Sequence, residues 1–349
     1  MTPSNLDPSK RIALFTVHDA SPWLRQTPKG SGDWGRWRYS FNSGADDAHW
    51  LVVYDELRAS VRTTVPKARR IIVISEPSDF KIYSPRYLNQ FGVMLSPMPT
   101  PGFTGIQIQT DVGLPWSFGL DMLSSQRPFP CRYDFDALAA LARGEKTHAL
   151  SAVVSMKTQL RKHRVRVEFT EALGGRLGDR LIRYGQGLKP IGDKADAILP
   201  YTHHLVVENN DEDNFFTEKL TDAYLGWSMP IFSGCQNIEG FFPAEALRRF
   251  DIYATDAVDR VVAALDAPVT PSQWAAIGQA RVAVLERYNI FARLSDIIAG
   301  LAPIDAAPVD EILHESVHFA PLGKRLRTAW KRVRPPRRKP LAAVAPPAA

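Results

Sequence analysis

Cysteine is nearly absent: the 349 residues contain two, Cys131 and Cys235. Two thiols make neither a disulfide framework nor a four-thiolate zinc site, so a reduced, cytoplasmic setting is expected. Long apolar runs are missing too. No stretch reaches the roughly 18–20 consecutive apolar residues that a membrane helix needs, and residues 1–11 lack the apolar core of a secretory signal. Acids are missing from residues 324–349, which hold nine of the 43 Lys/Arg. The other 323 residues carry 34 bases against 37 acids, so the net charge of +6 belongs to a tail. A body without excess positive charge does not offer nucleic acid a basic face. What is present, 45% apolar and 23% charged residues, fits a globular chain of roughly two domains at about 150 residues each.

Residues 20–48 are rich in Gly, Ser, Trp and Arg and predict a long loop. Short apolar runs follow at 50–54, 71–75 and 92–95. They are too short for helices and too apolar for half-exposed strands, which predicts buried parallel strands. Pro and Gly obscure any pattern between 97 and 130. A second alternating series begins near 149: strands over 149–155, 181–184, 205–207 and 230–232, helices over 165–177, 217–226, 257–265 and 272–297. Strand and helix alternate twice, with a break around 130–148. The pattern predicts two doubly wound α/β domains, with ligands beyond the carboxyl ends of the strands and between the domains. The expected division is 11–145, 146–300, and a connector with a Pro/Ala-rich basic tail over 301–349.

The richest stretch is 205–234, LVVENNDEDNFFTEKLTDAYLGWSMPIFSG. It predicts a buried strand, an acidic loop, a helix capped by Thr217, and another strand. Glu218 and Lys219 fall in the first helical turn, roughly 100° apart, so they cannot pair with each other and each needs its own partner. A first-turn lysine opposes the helix dipole unless an anion is near. A bound diphosphate would be that anion. A solvated helix start is the alternative.

Glu208-Asn209, Thr217-Glu218-Lys219 and Pro230-Ile-Phe-Ser-Gly234 stand in the order and spacing that resembles the family 10 glycosyltransferases, the α-1,3/1,4-fucosyltransferases. The match covers some 50 residues strongly. The resemblance implies the GT-B fold, two Rossmann-like doubly wound domains facing across a cleft. It implies an inverting enzyme without an essential metal or cofactor. That enzyme would move fucose from GDP-fucose to a hydroxyl of a glycan acceptor, such as a cell-envelope oligosaccharide. The N-terminal domain would hold the acceptor and the C-terminal domain the GDP-sugar. By the same resemblance Lys219 contacts the donor phosphates, Glu218 the ribose, and Glu208 and Asn209 the donor site. Arg166 binds phosphate, with Arg164 its rival two residues away. Gly185, in Tyr184-Gly-Gln-Gly187, resembles the glycine loop beside the nucleotide, an ordinary turn being the alternative. Phe215 stands where the family often has tyrosine, which leaves stacking without a hydroxyl contact, and Asn210 replaces the usual Ser/Thr. A different GDP-6-deoxyhexose as donor, or a non-catalytic nucleotide-sugar-binding protein, is the alternative function.

Glu76, in Ser75-Glu-Pro-Ser78 after the apolar run, resembles the family's glutamate at a strand end and is the expected catalytic base. A loop glutamate capping a turn is the alternative. Asp211-Glu-Asp213 has the form of a metal-binding Asp-x-Asp, but a solvated acidic loop is expected. Trp34, Trp37 and Tyr39, and likewise Trp116 and Phe118, either face an acceptor sugar or anchor loops. His314-Glu-Ser-Val-His318 matches a zinc-hydrolase motif, yet no His, Asp, Glu or Cys follows to complete a site. A helix surface before the tail is expected there. The tail, 324–339, mixes Leu326, Trp330 and Val333 with its cations, a composition suited to anionic lipid at the inner membrane face. Contact with RNA or another polyanion and an inert solubilising role are the alternatives.

Overall fold

The computed structural model describes residues 11–19, 21–76, 81–154, 161–301 and 304–320. The expected basic tail lies outside them.

Along the chain the first elements are β1 (Arg11–Thr16), α1 (Ser21–Leu24), β2 (Asp33–Trp34), β3 (Trp37–Phe41), β4 (Trp50–Tyr54), β5 (Val61–Thr63) and β6 (Arg70–Val73). Then come α2 (Pro85–Leu88), β7 (Val93–Ser96), β8 (Ile106–Gln109) and α3 (Phe135–Ala140). One sheet runs β2-β3-β1-β4-β6-β7-β8, parallel from β3 onward. Its central strands β1, β4, β6 and β7 bury both faces, as their unbroken apolarity predicts. Ile12, Leu14, Val52 and Ile71 face one layer; Ala13, Phe15, Leu51 and Ile72 face the other.

The second series comprises β9 (His148–Val153), α4 (Arg161–Leu177), β10 (Leu181–Tyr184), α5 (Ala195–Ile198), β11 (Tyr201–Val207), α6 (Glu218–Leu225), β12 (Met229–Ser233) and β13 (Arg248–Arg249). It forms a parallel sheet in the order β10-β9-β11-β12-β13. Helices α7 (Ala257–Asp266), α8 (Pro271–Glu286) and α9 (Ile290–Gly300) follow, then β14 (Glu311–Leu313), which pairs antiparallel with β5. α4 and α7 cover one face of the second sheet; α6 and α8 cover the other. Two Rossmann-like α/β units with parallel sheets give the GT-B architecture.

Several expectations need correction. The stretch 20–48 is not one long loop, because β3 inside it pairs with β1. Trp37 and Tyr39 are buried there, and the Tyr39 hydroxyl bonds Phe291 O at 3.0 Å. Those aromatics therefore anchor the sheet rather than face an acceptor. The helix expected over 272–297 is two. Asn289 ends α8 and caps α9, its side chain accepting from Ala292 N at 3.0 Å. The break sends α9 back onto the first sheet, where Phe291 and Leu294 pack with Leu14 and Val52. Residues 290–300 thus pack with the first unit, not the second.

A strap joins the units. Trp116 and Phe118 are fully buried against α6 and α8. The buried Arg25 guanidinium donates to the carbonyls of Phe118 (2.9 Å), Tyr133 (2.6 Å) and Trp116. On the other side Asp222 accepts from Ser117 N and Phe118 N at 3.1 Å, and Asp193 accepts from Gly119 N at 2.8 Å. In Arg25→Met three carbonyls lose their partner at roughly 1–3 kcal/mol each, so a loss of about 3–5 kcal/mol is expected in urea denaturation. A loss below about 1 kcal/mol would show that the strap is held by other contacts.

Candidate active site

Thr217 caps α6 as its sequence predicts, with Oγ1 accepting from Lys219 N at 3.3 Å. Beneath the cap lies Glu208, whose side chain is fully buried at the end of β11. Its carboxylate accepts from Thr217 N (2.8 Å), Thr217 Oγ1 (2.8 Å) and Lys219 Nζ (3.0 Å). Glu218 and Lys219 take separate partners, as adjacent helical positions must. Lys219 pairs with Glu208, and Glu218 pairs with Lys194 at 3.4 Å. Lys194 also pairs with Asp222 at 3.0 Å.

Arg166 and Arg164 are separated by burial: Arg166 is inside α4 and Arg164 is exposed. Arg166 Nη1 donates to Asn209 Oδ1 at 2.8 Å. Burial lowers the proton affinity of the Arg166 guanidinium, and Glu208 opposes that effect. At the end of β10, Gly185 adopts φ +134°, and a Cβ there would come within 2.0 Å of Val154 O. Only glycine fits this turn.

Arg166, Lys194, Lys219, Glu218, Asn209 and Gly185 line one open cavity of about 540 Å³. The volume suits a nucleotide-sized ligand. The opening sits at the N-terminus of α6, where the dipole favours an anion. Two of the expected donor residues stand elsewhere. Glu208 lies behind the cavity wall and acts through Thr217 and Lys219, while Phe215 is buried and does not line the cavity. Lys194 is the cavity residue that sequence motifs miss. Its position in a polar loop carries no signal, and it becomes significant only because α6 brings Glu218 and Asp222 to it.

Glu76 follows β6 on the other sheet. It borders a smaller cavity of about 260 Å³ shared with Lys81, Ile82, Tyr83 and Pro97. Burial raises its carboxyl above the ordinary range; Asp55 adds to this, while Lys81, His18 and Lys219 oppose it. Glu76 is thus within electrostatic reach of Lys219, though the two line different cavities. Asn214 Nδ2 donates to Pro97 O at 3.1 Å, which ties the loop after β11 to the first unit beside that cavity.

The remaining motifs resolve structurally. Glu212 and Asp213 are exposed in their loop. His314 follows β14 and His318 lies in a short 3₁₀ turn, not on the expected helix; their rings stack at 3.9 Å. Stacked rings do not converge their nitrogens on one ion. Among the described residues no three His, Cys, Asp or Glu groups form a metal site, and no helix is long and apolar enough to cross a membrane.

No protein-family model and no curated protein matches the sequence. Among solved structures the chain is similar to an α1,3-fucosyltransferase with GDP-fucose, at TM-score 0.46 and 12% identity over 89% of this chain and 88% of that one. It is also similar to a UDP-forming α,α-trehalose-phosphate synthase from Burkholderia vietnamiensis, at TM-score 0.46 and 10% identity over 76% and 73% of the two chains. A third likeness is to the N-terminal domain of Candida albicans trehalose-6-phosphate phosphatase, at TM-score 0.48 and 9% identity over 85% and 97%.

The charge network makes a pH prediction. Burial works against ionised Glu218, but Lys194 and Lys219 outweigh it and bring the carboxyl from 4.5 down to about 2. A depressed acid stabilises the fold above its unfolded value, and that contribution disappears as pH falls from about 4.5 toward 2. Burial also works against the Lys194 ammonium, but Asp222 and Glu218 raise it above the lysine range. Its contribution holds at neutral pH and is lost only as pH rises through the folded value. In Lys194→Met the stability loss between pH 4.5 and 2.5 should therefore flatten, with stability at pH 7 reduced. Urea midpoints at the three pH values check this; an unchanged acid slope would remove Lys194 from the network.

Proposed function

We propose that the protein is an inverting glycosyltransferase that moves fucose from GDP-fucose to a hydroxyl of a glycan acceptor. One observation carries the reading: Arg166, Lys194 and Lys219 converge in one cavity at the carboxyl edge of the second sheet, with Glu76 of the first sheet within reach. Order and spacing of the Glu-Asn, Thr-Glu-Lys and Pro-Ile-x-x-Gly elements support the donor class.

In the reaction the acceptor oxygen bonds to the anomeric carbon while that carbon's bond to the diphosphate oxygen breaks. Glu76 takes the acceptor proton, and the electron pair leaves with GDP. Charge building on the diphosphate is met by Arg166, a two-pronged donor, and by the Lys219 point charge. Glu218, held by Lys194, faces the ribose side of the cavity. These cations do the neutralising work that a metal performs in other transferases, so turnover without added metal is part of the proposal. A donor carrying another 6-deoxyhexose is the second reading. The segment 324–339 supports peripheral contact with anionic lipid on composition alone.

Two measurements test the proposal. GDP release from GDP-fucose should fall about 10²–10⁴-fold in Glu76→Gln; unchanged turnover removes Glu76 from the chemistry. GDP at 100 times its Kd should stabilise the fold by about 2.7 kcal/mol, more than UDP does, and Lys219→Ala should weaken the effect. A larger stabilisation by UDP would overturn the donor class.

A further inference from the structure

A second built cluster stands beside Glu76. Counted along the chain, the parallel strands of both sheets share one order. The first runs β3-β1-β4-β6-β7-β8 and the second β10-β9-β11-β12-β13, each beginning 2-1-3-4-5. In such sheets the ligand crevice opens where the order reverses. In the second sheet that point lies between β9 and β11, and Val154 and Asn209, just past those strands, line the donor cavity. In the first sheet it lies between β1 and β4. The chain just past those strands carries His18 and Asp55.

Both residues are held in place. Thr16 Oγ1 accepts from His18 N at 3.1 Å, and Arg58 donates to the carbonyls of Thr16 (3.2 Å), Val17 (3.3 Å) and His18 (2.7 Å). The imidazole meets the Tyr54 ring edge-on at 6.4 Å, and Nε2 lies 3.5 Å from Asp55 Oδ2. The His18 side chain is 52% exposed, whereas that of Asp55 is 4% exposed. Asp55 adopts φ +59°, a left-handed conformation that costs a non-glycine residue energy and recurs at functional sites. Its two oxygens accept from Ser75 N (2.8 Å) and Ser75 Oγ (2.5 Å), one residue before Glu76. Asp55 therefore links the strand end that carries Glu76 to the imidazole across the crevice.

We propose that His18 and Asp55 complete the acceptor end of the site. Asp55 is a positioning residue that sets Glu76 and His18 in register, and His18 accepts a hydrogen bond from a pyranose hydroxyl next to the one Glu76 deprotonates. The proposal rests on the glycosyl-transfer reading. A proton on Nε2, toward Asp55, leaves the lone pair on Nδ1 for that hydroxyl. The charged groups around Glu76 are Asp55, Lys81, His18 and Lys219. Those around His18 are Asp55, Glu76 and the Arg58 guanidinium on its carbonyl. Loss of the Asp55 charge therefore eases ionisation of Glu76.

The test uses the full chain with GDP-fucose and follows GDP release from pH 4 to 8, with water as acceptor and again with a mixture of methyl pyranosides added. Asp55→Asn should slow turnover about tenfold and move the acid limb down by about half a pH unit. His18→Ala should lose the rate that the pyranosides add while keeping hydrolysis, and His18→Gln, which keeps an acceptor atom, should recover part of that rate. A residue that only supports the fold would lower the rate without moving the limb. An unmoved limb in Asp55→Asn, with pyranoside-dependent turnover within about twofold of wild type in both Asp55→Asn and His18→Ala, overturns the proposal. Histidine NMR on the same proteins tests the pair without turnover: the His18 ring resonances should shift in Asp55→Asn at constant pH. Resonances that stay in place also overturn it. Absence of GDP-fucose turnover in the wild type would instead defeat the transferase reading, full turnover in Glu76→Gln would remove the base, and in either case the NMR result would still decide whether the cluster is coupled.

Discussion

The carboxylate of Glu208 organises the edge of the second sheet around the larger cavity. It is fully buried, and burying a charge is costly unless it is paired and bonded. Thr217 supplies two donors and Lys219 a third, so all three residues are locked to the end of β11. That lock fixes where α6 begins, and hence where its free backbone N–H groups and first-turn side chains aim. Lys219 has three N–H bonds to give; two are spent on Glu208 and Thr217, and one is left for a ligand. A cation held at the cavity wall needs little reorganisation when charge develops on a leaving group.

The two units are joined through chemistry close to that lock. Asp222 stands one turn beyond Glu218 on α6, bonds the strap at Ser117 and Phe118, and shares Lys194 with Glu218. The strap's carbonyls are in turn gripped by Arg25 of the first unit. One continuous polar network thus runs from the cavity at the start of α6 to the first sheet. With α9 packed on that sheet and Asn214 bonded to Pro97, the network keeps the two carboxyl edges facing the same space.

Legibility in the sequence followed the range of the interaction. The strands at 50–54 and 181–184 and the helix over 165–177 are visible because runs and periods of apolar residues are local. The separate partners of Glu218 and Lys219 are visible from helix geometry alone. The choice between Arg166 and Arg164 is not, since both precede the same apolar face and only packing against Asn209 selects one. Glu208 carries the right residue type for a donor contact but is turned inward by the Thr217 cap. The end of α8 hides because apolar spacing continues through the Asn289 break. Trp37 and Tyr39 sit in a segment whose Gly and Arg suggest a loop, and β1 supplies the pairing that makes it a strand.

The sequence by itself determined the class of fold, the helix cap at Thr217, and the separate partners of Glu218 and Lys219. These depend on contacts within a few positions of each other. Tertiary structure alone decided that Lys194 joins the cations, that Phe215 leaves the site, that residues 290–300 return to the first sheet, and that His18 and Asp55 meet beside Glu76. Those outcomes depend on strand order, which places residues far apart in the chain at one edge of a sheet, and on burial, which compels each charge to find a partner there.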